Sequence, residues 1–159
     1  MKILGIDPGY ERLGVAVLEK NLGDKKEKII FSECYKTSAG LEFSERLLLI
    51  GKKIKTIIKD YRPTVLSVET LFLNTNQKTV MQVAGVRGVI IYEASCAGLK
   101  IFEASPPQIK IATTGYGASD KRQVMKMVKM LVDIDNSKKS DDEMDAIAIA
   151  LTAFACLKF

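Results

Sequence analysis

The feature that most constrains this chain is the run Ile3-Leu4-Gly5-Ile6, which ends in Asp7-Pro8-Gly9. A short, uninterrupted apolar run closed by Pro and Gly predicts a strand buried on both faces. Such a strand lies inside a sheet and makes a rigid mount, with Asp7 held at its carboxyl end. Asp-Pro-Gly is also good turn chemistry. On this stretch alone, Asp7 reads equally well as a turn residue or as a functional acid.

Residues 12–19 predict a second strand, linked to the first by a hairpin through Pro8–Glu11, and Lys28–Thr37 predicts a third. Their short connections imply an antiparallel meander. Leu47, Ile50, Ile54, Ile57 and Tyr61 recur at helical spacing within a helix over 42–61, closed by Pro63. Val65–Glu69 predicts a fourth strand that, like the first, stops at a carboxylate. Leu71–Lys78 reads as a loop. A second helix follows over 79–97, with Val80, Ala84, Arg87 and Ile91 along one line. Its Gly85 and Gly88 each cost a helix about 0.8–1 kcal/mol, which predicts close approach by the sheet or by a second subunit. Leu99–Glu103 predicts a fifth strand. After it come a short helix over 106–112, a flexible loop over 113–119, a helix over 120–132 capped by Ser119, a polar link over 133–140 and a last helix over 141–157. Strands alternating with helices imply right-handed crossovers and parallel pairing. The expected architecture is α/β: a mixed five-stranded sheet flanked by helices on both faces, in a single domain over residues 1–159.

Composition removes several kinds of chemistry. The 159 residues contain no His, so His-dependent triads, His general bases and His-ligated zinc are excluded. Cys34, Cys96 and Cys156 are odd in number and far apart, which predicts reduced, packed thiols. No apolar run approaches the ~18 residues of a membrane span, and Asp7 interrupts any signal-peptide layout. A cytoplasmic protein with no membrane association is expected. The formal net charge of +5 is a modest hint of a polyanionic partner, but on charge alone a solvated lysine-rich surface is the better account.

The last helix opens with Asp141, Asp142, Glu143 and Asp145 ahead of the apolar run Ala146–Leu151. Acids suit a helix N-terminus, but that explains one or two of them, not four. The spacing of Asp142 and Asp145 puts both on one face. In a parallel sheet the strand carboxyl ends gather at one edge, so Asp7, Glu69, Asp142 and Asp145 can meet there. Four such acids cannot all stay ionised without cations. Oxygen donors select Mg²⁺ or Mn²⁺, and two ions ~3.5–4 Å apart support phosphodiester hydrolysis. That is metal-assisted nuclease chemistry, and it requires no histidine.

Gly5-Ile6-Asp7-Pro8-Gly9, Val68-Glu69-Thr70-Leu71-Phe72 and Asp142-Glu143-Met144-Asp145-Ala146 resemble the RuvC family of Holliday-junction resolvases. Arg87-Gly88, Pro107-Gln108-Ile109-Lys110 and Ala118-Ser119-Asp120-Lys121 match it in order and spacing, so the resemblance spans nearly the whole chain. It implies an RNase H-like fold, a homodimer, and paired nicks in four-way DNA junctions during recombination and repair. It also implies two Mg²⁺ per subunit, replaceable by Mn²⁺, on Asp7, Glu69, Asp142 and Asp145. Lys121 and Lys110 match lysines near the scissile phosphate. Phe72 matches an aromatic at the junction centre, and Asn76, Lys78 and Arg87 fall where the family contacts DNA. A junction-binding and branch-migration helicase complex is the implied partner. The chain departs from the family pattern at Ala16, where a glycine is frequent, at Ala84–Gly88, and at Thr75, where a basic residue is common. A YqgF-type RNase H-like nuclease acting in RNA processing is the alternative, since its opening resembles Asp7–Ala16.

Overall fold

The first strand does lie inside the sheet. In the computed structural model, which describes residues 1–71, 77–132 and 139–157 with the backbone alone at 77 and 78, the strands are β1 (Lys2–Asp7), β2 (Arg12–Glu19), β3 (Lys28–Lys36), β4 (Val65–Glu69) and β5 (Lys100–Ala104). The helices are α1 (Phe43–Tyr61), α2 (Gln77–Cys96), α3 (Pro106–Thr114), α4 (Lys121–Leu131) and α5 (Asp141–Cys156). The five strands run in the order β3-β2-β1-β4-β5. The β1–β2 and β2–β3 pairs are antiparallel, while β1–β4 and β4–β5 are parallel. This is the expected mixed sheet led by a three-strand meander.

Side chains alternate across a strand, and that alternation sorts β1 between two cores. Leu4 and Ile6 pack with Leu13, Val15, Val17, Leu66 and Val68 under α1 and α2. Ile3 packs with Ala16, Leu18 and Val65 under α3, α4 and α5. Gly5 and Asp7 share the face of Ile3, so Asp7 inherits the α5 side of the sheet from its place in the strand.

Helix α5 is apolar on nearly all sides because it is buried on nearly all sides: Met144 and every residue from Ala146 to Phe154 are buried. It lies unusually close to the sheet. A Cβ on Gly5 would fall 2.3 Å from the Ala146 carbonyl oxygen and 2.7 Å from the Ala150 Cβ. A Cβ on Gly14 would fall 2.1 Å from the carbonyl oxygen of Asp142. The hydroxyl of the buried Ser67 on β4 donates to the Ile149 carbonyl at 2.7 Å, which ties the middle of α5 to the sheet.

Four local expectations are corrected. The buried line of α2 is Val86, Ile90 and Ala94, not the Val80–Ile91 line, because α2 packs on α1 as well as on the sheet. The close neighbour of Gly85 is neither the sheet nor a second subunit but the Phe43 ring of α1, 3.0 Å from a notional Cβ; Gly88 faces open space in the single chain, so for it only the sheet is removed as a neighbour. The cap of α4 is Asp120, which accepts from the Gln123 N–H at 2.9 Å. Ser119 instead closes the preceding turn, bonding Thr114 Oγ1 at 2.7 Å and the Tyr116 carbonyl at 2.8 Å, so residues 113–119 form a cross-bonded corner. Finally, Cys96 and Cys156 are exposed and only Cys34 is partly covered. Among the described residues no helix is long and apolar enough to cross a membrane.

The Gly5 contact makes a direct test. Gly5→Ala forces α5 off the sheet, because the obstruction is backbone and cannot rotate away. Urea unfolding should register a loss of about 3 kcal/mol, the upper end for overpacking.

Candidate active site

Strand register brings the first two acids together. Ile6 pairs with Val68 in the parallel β1–β4 ladder. The next residue on each strand is an acid, so Asp7 and Glu69 end side by side on the α5 face. Helix α5 supplies the others. Its cap, Ser140, accepts from the Glu143 N–H, and the Glu143 carboxylate accepts in return from the Ser140 N–H at 2.9 Å. This capping box fixes the first turn of α5 over the sheet edge.

Asp7, Glu69 and Asp145 line one cleft of about 280 Å³ together with Lys110 and Lys121. Pro106, Ile109, Val124, Ala148 and Ile149 form its apolar wall. Lys121 Nζ donates to Asp145 Oδ2 at 2.9 Å and pairs with Asp141 at 3.6 Å. Asp120, capping α4, sets Lys121 at the first position of that helix.

Asp142 is near the same acids but its carboxylate faces β2 and β3. Arg12 donates to its Oδ2 from Nε at 2.9 Å and from Nη2 at 2.5 Å. The Cys34 thiol donates to the same oxygen at 3.3 Å. Arg87 lies behind Glu69: its Nε donates to the Glu69 carbonyl at 3.1 Å and its guanidinium pairs with Glu103. Phe72 and Asn76, and the side chain of Lys78, fall outside the described residues.

Arg12, Cys34, Glu103 and Ser67 were not singled out from sequence. For the first two a signal existed: Gly14 pairs with Asp7 on one side and with Cys34 on the other. Hairpin register alone therefore brings Arg12 and Cys34 toward the acid edge.

Crowding shows in the electrostatics. The Asp7 carboxyl is pushed up to about 7, first by burial and then by the charges of Asp145, Glu69 and Asp142, with Lys121 opposing. Burial and Asp145 also raise Glu69. Burial acts upward on Asp142 too, but hydrogen bonds from Cys34 and Arg12 outweigh it and leave that carboxyl below its ordinary value. Lys121 is raised, chiefly by its bond to Asp145. Among the described residues no three acid or thiol groups stand ready to enclose an ion; Lys121 and Arg12 have drawn Asp145 and Asp142 to themselves. The donor set nevertheless fits a divalent cation. All four acids offer oxygen, and only two side-chain cations, Lys121 and Arg12, are bound to them, so the charges of Asp145, Glu69 and Asp142 add to burial in raising Asp7.

A β3-β2-β1-β4-β5 mixed sheet, with acids from its two central parallel strands and from a C-terminal helix at one edge, places this protein in the RNase H-like class. The sequence profile of the crossover junction endodeoxyribonuclease RuvC matches residues 3–153. The crossover junction endodeoxyribonuclease RuvC of Caldanaerobacter subterraneus subsp. tengcongensis is 43% identical over 152 residues, covering 95% of this chain and 90% of that protein. The solved RuvC of Thermus thermophilus superposes with a TM-score of 0.88 at 29% identity, covering 98% of this chain and 94% of the other. The T. thermophilus RuvC solved in complex with Holliday junction substrate gives 0.90 at 29% identity, over 97% and 93%. The chain belongs to the RuvC family.

The raised acid gives a pH test. Folded Asp7 keeps its proton to about 7 while the unfolded chain releases it near 3.8. Between those values the folded state binds more protons, so stability falls as pH rises, and the loss is complete above about 7. Glu69 acts in the same direction. In chelator, the melting midpoint should drop between about pH 5 and about pH 8, and Asp7→Asn should flatten much of that drop. Calorimetric or circular dichroism melts of both proteins check it, and an equal drop in the variant contradicts the assignment.

Proposed function

We propose that this protein is a structure-selective DNA endonuclease that resolves four-way (Holliday) junctions in recombination and repair by paired, metal-dependent nicks. The observation that carries the reading is the meeting of Asp7, Glu69 and Asp145 in one cleft, with Asp142 beside it, in a chain of the RuvC family.

Asp7, Glu69, Asp142 and Asp145 would hold the ions, two Mg²⁺ per subunit with Mn²⁺ able to replace them. Bound there, such ions supply an activated water and charge stabilisation at the leaving oxygen. The protein's own residues do the rest. The apolar wall of Ile109, Val124 and Ile149 limits water beside the acids, which strengthens every charge interaction inside the cleft. Lys110 and Lys121, on α3 and α4, offer point charges to a phosphate entering between them. Arg87, held by the Glu69 carbonyl and by Glu103, steadies the end of β4 in addition to any part in DNA contact. Phe72, Asn76 and Lys78 keep the DNA-contact roles that the family resemblance implies, with Phe72 at the junction centre.

A homodimer suits a two-fold substrate. Helix α2 supports it by exposing Met81, Gly88 and Tyr92 along one side. A junction-binding, branch-migration helicase complex remains the proposed partner, and the cytoplasm the proposed compartment. The relatives are named for crossover junctions, which favours DNA junctions over the RNA-processing alternative.

Nicking of a synthetic immobile junction with Mg²⁺, with Ca²⁺ or in chelator tests the reading. Cleavage should require Mg²⁺ or Mn²⁺. Asp7→Asn should cut at below about 1% of wild type, a larger loss than removal of a supporting group brings, while still binding the junction. Cutting in chelator, or better cutting of structured RNA than of the junction, would overturn the proposal. Binding itself should be strongly salt-dependent. With 6–10 phosphates engaged, affinity falls by roughly 10³–10⁵ between about 50 and 200 mM salt, and a flat response in a filter-binding titration contradicts a phosphate-based grip.

A further inference from the structure

We infer that Arg12 is a positioning residue for Asp142, gripping one carboxylate oxygen so that the other is presented to the divalent cation of the proposed site. The inference rests on that metal-site reading and adds a residue to it. Arg12 stands two places before Gly14 on β2 and so shares its face, the α5 face. Gly14 provides the floor: a side chain there would strike the Asp142 backbone, and its Cβ would fall 3.2 Å from the Asp142 Cβ. Cys34 lies directly across the β2–β3 ladder from Gly14. Asp142 thus sits over a glycine, with a thiol beside it and a guanidinium above.

All three side-chain donors in this seat end on Oδ2: Arg12 Nε at 2.9 Å, Arg12 Nη2 at 2.5 Å and Cys34 Sγ at 3.3 Å. Oδ1 takes none of them. Three donors on one oxygen fix both side-chain torsions of an Asp, and with them the direction of its second oxygen. Arg12 is 54% exposed and Asp142 22% exposed, and an ion pair so open to water adds little to fold stability. A donor that orients a ligating carboxylate, by contrast, commonly changes metal affinity by 10–100-fold. The arrangement is worth more to the site than to the fold.

The test counts bound Mn²⁺ on the full chain by the electron paramagnetic resonance of free Mn²⁺, for wild type, Asp7→Asn, Arg12→Gln and Arg12→Lys. Junction affinity and the melting midpoint are measured in chelator alongside. Arg12→Gln should weaken Mn²⁺ binding about 10–100-fold, and Arg12→Lys, with one point charge in place of the fork, should recover part of it. Melting midpoint and chelator junction affinity should stay near wild type in both. Unchanged Mn²⁺ affinity in Arg12→Gln overturns the inference. Tighter binding also overturns it, since Arg12 would then compete with the ion for Asp142. Loss of junction affinity with normal Mn²⁺ binding makes Arg12 a DNA contact and overturns it as well. A wild-type protein that binds no Mn²⁺, or binds it no better than Asp7→Asn, removes the metal-site reading itself and this inference with it.

Discussion

The contact on which the site depends is backbone against backbone, between the start of α5 and the two strands beneath it. Gly5 and Gly14 leave no side chain on the α5 face; Ala146 and Ala150 lie against Gly5, and the backbone of Asp142 lies against Gly14. Each missing Cβ brings the helix closer, and the helix carries Asp142 and Asp145 with it. A larger residue at either glycine would hold those acids away from the end of β1, whatever their own chemistry. The hydroxyl of Ser67 on the Ile149 carbonyl fixes how far the helix can slide along the sheet.

Crowding four acids at that edge works against folding, and the protein offsets part of the cost locally. Lys121 from α4 takes Asp145, and Arg12 and Cys34 take Asp142. Asp7 and Glu69, deeper in the sheet, have no such side-chain donor among the described residues, and burial together with the neighbouring acids raises their carboxyls. Unequal neutralisation leaves the strand acids as the strongest sink for further positive charge, at the floor of the cleft. The supporting residues act one step back: Arg87 on the Glu69 carbonyl and Asp120 on the first turn of α4.

Much of this was legible in the chain itself. The apolar run at β1, the acid at the end of β4 and the Asp-x-x-Asp at the start of α5 each pointed to one edge, because strand polarity and helical spacing are local rules. Where the reading went astray, a tertiary neighbour outweighed the local pattern. The inward line of α2 turned because α1 packs on it as well. Ser119 was drawn from capping into the 113–119 corner by Thr114 and Tyr116, leaving the cap to Asp120. Cys96 and Cys156 sit near the ends of α2 and α5 and stay exposed, a position that residue type does not reveal.

Local patterning along the chain settles which residues can carry the chemistry and to which strand end or helix turn each belongs. It also determined the sheet's mixed character, since short links force antiparallel pairs and crossover helices force parallel ones. Which acids share a cleft is set by long-range packing, and packing divides the helical pair: Asp145 faces the cleft with Lys121, while Asp142 turns to Arg12 and Cys34. That division depends on how closely α5 rides on Gly5 and Gly14 and on the two cations that reach the pair, Lys121 from α4 and Arg12 from β2. Both are contacts between distant segments, which no local pattern encodes.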